Sequence, residues 1–125
     1  MDDSVHHTLP KAERLSGKTS VEALLRHGRW GSGAVLRYCW TEGAGDGSNR
    51  IMVSVPKRLF KRAVRRNLLK RRIREAYRCQ KQLLSRPGGT DVLFMYNSKE
   101  VSDYQTIFSD VRDILSKICT PEGTG

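Results

Sequence analysis

Apolar positions along this chain recur with two periods, and the switches between them mark out its elements. Residues 19–28 read as a short helix: Thr19 and Glu22 stand at capping-box spacing, and Gly28 is a natural helix stop. Residues 34–40 (AVLRYCW) mix apolar and polar positions as a strand does. A turn-rich loop follows over 42–49, so residues 51–55 (IMVSV) are expected to return antiparallel as the second arm of a hairpin. A long helix is predicted over 62–84, ended by Arg86-Pro87-Gly88-Gly89. Residues 91–96 (DVLFMY) form an almost unbroken apolar run, the pattern of a strand covered on both faces, as central parallel strands are. The last helix opens at Ser102 with Gln105 as its box partner. It buries Ile107, Val111, Ile114 and Ile118, with Phe108 and Leu115 widening the stripe. The order α-β-β-(β)-α-β-α describes an α+β fold, three helices packed on a small mixed sheet.

With 125 residues, no internal repeat and no low-complexity linker, the chain is expected to form one domain, with residues 1–13 and 120–125 as mobile ends. A domain of this size can bury a core without disulfides or a structural metal. Cys39, Cys79 and Cys119 are isolated in sequence with no CxxC pairing, which points to reduced thiols in the cytoplasm. The first residues show no secretory pattern and no run approaches the length of a membrane span, so neither export nor membrane insertion is expected.

Charge changes the picture most. Lys and Arg total 23 against 13 acids, a net charge of +10, which favours a polyanionic partner. Residues 57–78 (KRLFKRAVRRNLLKRRIREAYR) hold 11 of the 23 basic residues with Glu75 as their sole acid. At about 100° per residue, Leu69, Ile73, Ala76, Tyr77, Leu83 and Leu84 share one arc of a helix, while Asn67, Lys70, Arg71, Arg74, Arg78 and Lys81 share the opposing one. Like charges three and four apart repel by about a few tenths of a kcal/mol per pair. A merely solvated helix relieves that cost with interleaved Glu; a polyphosphate-binding one has no need to. Arginines there give forked phosphate contacts. Asn67 can read a base edge or a 2′-hydroxyl, or serve as a local cap.

Residues for intrinsic catalysis are missing from the pattern. A protein nuclease needs clustered carboxylates for metal ions, and the acids here are scattered; Asp110 and Asp113, three apart on the last helix, read as a solvated edge. His6, His7 and His27 lack Cys or Asp partners for a zinc site or a nucleophilic dyad, and His27 suits a helix C-terminus. No helix-turn-helix precedes the basic segment, which weighs against duplex DNA.

The basic segment closely resembles the signature of the ribonuclease P protein component. That pattern is met at Lys57, Arg58, Lys61, Arg62, Ala63, Arg66, Asn67, Leu69, Lys70, Arg71, Arg74 and Glu75, and the resemblance extends over roughly residues 9–119. Leu68 departs from it, replacing the second Arg of an Arg-Asn-Arg triplet, a loss that Arg65 or Arg72 could make good. The resemblance implies a ribosomal-protein-S5-domain-2-like fold with a left-handed β-α-β crossover. It also implies a catalytic RNA subunit that uses magnesium to hydrolyse precursor tRNA and release the 5′ leader, with no catalytic residue or cofactor held by the protein alone. Taken with the helix geometry, the candidate RNA-binding residues are Lys57, Arg58, Lys61, Arg62, Arg65, Arg66, Asn67, Lys70, Arg71, Arg74 and Arg78. The family's leader cleft lies between the first helix and the sheet, where Val21 and Leu25 take positions often aromatic in relatives. Tyr38, Trp40 and Ser54 are the sheet candidates, with core burial the competing role for Tyr38 and Trp40. The alternative function is a structural RNA-binding protein of ribosomal or chaperone type.

Overall fold

In the computed structural model, which describes residues 15, 18–42, 49–84 and 88–119, three helices pack on one four-stranded mixed sheet. Helix α1 spans Lys18–His27, strand β1 Arg29–Ser32, β2 Leu36–Glu42, β3 Asn49–Ser54, α2 Ala63–Arg78, β4 Thr90–Tyr96 and α3 Tyr104–Cys119. Residues 1–13 and 120–125 and most of the 42–49 loop lie outside the described residues.

The strand order is β1-β2-β4-β3. Strand β4 is the organising element. Its near-continuous apolar run is buried along both faces, so it takes an interior place, antiparallel to β2 on one side and parallel to β3 on the other. The expected hairpin between residues 34–40 and 51–55 therefore does not form, because β4 lies between them. The real hairpin is β1–β2, and the sequence reading assigned no strand to the residues of β1. Strands β3 and β4 are joined through α2, a β-α-β crossover. Gly88 and Gly89, at φ 83° and 87°, make the turn into β4 that side chains with a Cβ resist.

Alternation sorts the sheet into two faces. Leu36, Tyr38, Trp40, Ile51, Val92, Phe94 and Tyr96 point to one side and form the main core with Leu69, Ile73, Ala76 and Tyr77 of α2 and Ile107, Val111, Ile114, Leu115 and Ile118 of α3. Cys39 and Leu93 point the other way and meet Leu24 of α1, Leu15, and the partly buried Val21, Met52 and Met95.

Three boundaries differ from the sequence reading. Helix α2 ends at Arg78; Cys79 and the buried Gln80 turn the chain into a short 3-10 turn over Lys81–Leu83, where the Gln80 amide donates to Phe108 O at 2.9 Å. Leu83 is thereby exposed while Leu84 alone continues into the core. Helix α1 begins at Lys18, which puts Thr19 inside its first turn. Helix α3 is capped by Asp103, whose Oδ1 accepts the Thr106 N–H at 2.9 Å; Ser102 instead meets the Tyr96 hydroxyl at 2.7 Å.

Asp110 corrects the reading of a solvated edge. It is buried, and its carboxylate accepts the N–H groups of Ala34, Val35 and Leu36 at 2.8, 3.0 and 2.9 Å, locking the β1–β2 turn to α3. Gly33 leaves the space that this carboxylate fills.

Candidate nucleic-acid interface

The basic segment is held by anchors at each end of its loop. Val55 and Phe60 are buried, the Phe60 ring centroid lies 5.9 Å from that of Tyr96, and the Leu59 N–H bonds Pro56 O at 3.1 Å. Lys57, Arg58, Lys61 and Arg62 are left exposed between and beside those anchors. Arg62 is extended just before α2 and makes no side-chain cap, and no acid occupies the first turn. The uncapped N–H groups and positive dipole end of α2 thus add to the field of Arg62 and Arg65 rather than being neutralised.

Along α2 the two sides separate as the periodicity requires. Leu69, Ile73, Ala76 and Tyr77 are buried; Arg65, Asn67, Arg71 and Arg78 are exposed, and Arg66, Lys70 and Arg74 are half-buried. Arg66, Arg72 and Arg78 are each tied to neighbouring groups. Arg66 donates through Nη1 to Phe60 O and Lys61 O, both at 2.8 Å, and so staples the basic loop to the helix. Arg72 donates to Ser102 O, which ties α2 to the start of α3. Arg78 forms a forked pair with Glu75, at 3.0 and 2.6 Å, and that hydrogen bond and charge raise its pKa further. Lys57, Arg58, Lys61, Arg62, Arg65, Lys70 and Arg71 have no acidic partner among the described residues, and the Asn67 amide is not used as a cap.

The second surface is the sheet face under α1. Strand register arranges its outward side chains in rows. Trp30, Cys39, Leu93 and Met52 form one row, and α1 covers its middle through Leu24, whose carbonyl accepts the Cys39 thiol at 3.3 Å. The neighbouring row is Ser32, Arg37, Met95 and Ser54; none of its four side chains is fully buried. Ser54 ends that row where the chain turns into Lys57 and Arg58, so the open floor abuts the basic segment. On α1, Val21 packs partly into the small cluster, and Leu25, one turn further along, is 43% exposed.

Tyr38 and Trp40 are not part of this floor. They are 8% and 5% exposed, lie on the sheet's opposite face, and belong to the main core, the competing role the sequence left open. Burial also raises the pKa of the Tyr38 phenol and the Cys39 thiol, which keeps both neutral. Sequence reasoning missed Trp30 and Arg37; the guanidinium of Arg37 sits 4.9 Å over the Trp30 ring centroid. An aromatic and an arginine on facing strands was the available signal, but β1 is too short to announce itself. Among the described residues no group of three or more His, Cys, Asp or Glu is placed to hold a metal ion, and no helix is long and apolar enough to cross a membrane.

A small α+β sheet protein with a densely cationic helix and approach loop beside an open sheet face is built to meet a polyanion in a defined orientation. The family model for ribonuclease P matches residues 9–119. The chain belongs to the ribonuclease P protein family. It is 35% identical over 112 residues to the ribonuclease P protein component of Nitrosomonas eutropha, spanning 89% of this chain and 91% of that protein. The ribonuclease P protein component of Porphyromonas gingivalis is 32% identical over 117 residues, 88% of this chain and 85% of its own length. The fold is similar to that of the RNase P protein of Staphylococcus aureus, with a TM-score of 0.74 at 22% identity over 88% of this chain and 97% of the other. The Thermotoga maritima RNase P protein gives a TM-score of 0.72 at 24% identity over 84% and 96% of the two chains.

Proposed function

We propose that this chain acts in the cytoplasm as the protein subunit of a ribonuclease P ribonucleoprotein, binding the catalytic RNA through α2 and its basic approach loop. The open row beside α1 takes the 5′ leader of precursor tRNA, with Val21, Leu25 and Ser54 around it and Arg58 at its edge. Endonucleolytic removal of the leader then yields the mature tRNA 5′ end. The RNA subunit carries the chemistry, with magnesium at its active centre, and the protein contributes no catalytic group and no cofactor.

One observation carries this reading: the exposed cations of the approach loop and the uncapped start of α2 adjoin an open sheet row in a chain of this family. Two RNA segments can therefore lie on adjacent surfaces of one small cation. Counterion release drives each contact, and a strand gripped only before cleavage favours precursor over mature product. Reconstitution with the catalytic RNA at low magnesium tests it. Precursor cleavage should be faster than with RNA alone, and precursor should bind more tightly than mature tRNA. No enhancement would leave a structural RNA-binding protein as the better description. Duplex DNA at matched salt should bind more weakly than structured RNA.

A further inference from the structure

Trp30 is unexplained by the fold. It stands on the edge strand β1, is 44% exposed, and belongs to neither apolar cluster, whereas Tyr38 and Trp40 on the next strand are buried. Indole surface left in water forgoes the stabilisation that burial gives, so the ring's position has no packing rationale. Arg37 stacks on it and is itself exposed, with no acidic partner among the described residues. A second cation reaches the same end of the sheet: Lys117 Nζ donates to Ser32 O at 3.2 Å, and Ser32 is the register partner of Arg37.

We infer that Trp30 and Arg37 form a stacking platform for one unpaired nucleotide of an RNA strand. The base extends the indole–guanidinium stack, and the N–H edge of Arg37 faces its phosphate. A flat π surface with an exposed guanidinium stacked on it matches an unstacked nucleotide; paired bases already stack on each other and offer no free face. The inference rests on the leader reading, and it adds a direction. Arg37, Met95 and Ser54 lie in register across β2, β4 and β3, so Arg37 stands two strand spacings, about 10 Å, from the Ser54 end that adjoins the basic loop, and Trp30 on β1 stands three, about 14 Å. The nucleotide it takes is therefore upstream of those nearest the cleaved bond.

The experiment measures holoenzyme affinity for precursors whose 5′ leader grows one nucleotide at a time. With the native chain, affinity should rise in steps. Trp30→Ala should lose about tenfold at the distal step alone, leaving the shortest-leader precursor and mature tRNA unaffected, and Trp30→Phe should restore most of it. Arg37→Ala should lose the same step and lower the salt slope by about one unit. If leader steps persist in full with Trp30→Ala, the platform is wrong and the leader reading stands. Equal loss for every substrate, mature tRNA included, would place the stack against another RNA surface and overturn it. Absence of any leader step in the native holoenzyme would overturn the leader reading itself and the platform with it. Circular dichroism and melting of the variants should match the native chain, since neither side chain is in a core.

Discussion

The two faces of the one sheet are finished differently. The face bearing Phe94 and Tyr96 is sealed by two sixteen-residue helices, and its side chains are lost to water. The face bearing Leu93 and Met95 has a single ten-residue helix across one row, and the next row stays accessible. The same four strands support both, so the contrast is a matter of coverage rather than strand quality. Stability is concentrated where α2 and α3 close the sheet. Recognition has room where α1 stops short.

Neighbouring residues on β4 give the strongest way to break that contrast. Phe94→Ala, on the sealed face, should lose about 3–5 kcal/mol in urea unfolding, from lost burial and the cavity left behind. Asp110→Ala should come next, at about 3 kcal/mol, because three backbone N–H groups are stranded at the β1–β2 turn. Met95→Ala, one residue from Phe94 but on the open face, should lose only about 1 kcal/mol while weakening the holoenzyme's preference for precursor over mature tRNA. Equal losses at Phe94 and Met95 would remove the distinction between the faces.

Smaller effects sharpen it. Arg65→Ala with Arg71→Ala should leave the melting temperature within a degree or two, or raise it slightly through relieved repulsion. The same pair should lower the slope of log affinity for the catalytic RNA against log salt by about two units. Arg66 is a poorer choice, since its loss also frees the loop carbonyls of Phe60 and Lys61. Thiol labelling gives the finest readout. Exposed Cys79 should react at once, and Cys39, under α1 with its pKa raised by burial, only as fast as α1 lifts.

The elements whose patterns are dense were legible from the chain. Helix α2 announced both its sides because 3.6-residue periodicity and charge agree at Leu69, Ile73 and Tyr77 against Asn67, Lys70 and Arg71. The central, doubly covered character of β4 followed from its unbroken apolar run. Sheet order did not follow, because which strands pair is a non-local choice; a turn-rich loop suggested a hairpin, and β4 took the place between its arms. The alternation Leu36, Tyr38, Trp40 was enough to place both aromatics on the core side once Leu36 was taken as buried. Asp110 carried a signal too, since it falls within the stripe of Ile107, Val111 and Ile114 where an apolar residue belongs. A carboxylate in that stripe must find donors, and their identity came only from the folded turn.

The parallel run of β3 and β4 carries a geometric consequence. Between Ser54 and Ala63 the chain has eight residues, pinned by Val55, Phe60 and the Arg66 staple. That span is a ruler: it sets a constant offset between the sheet floor and the helix, so two RNAs bound by one protein would be held in fixed alignment by a part that does not need to move.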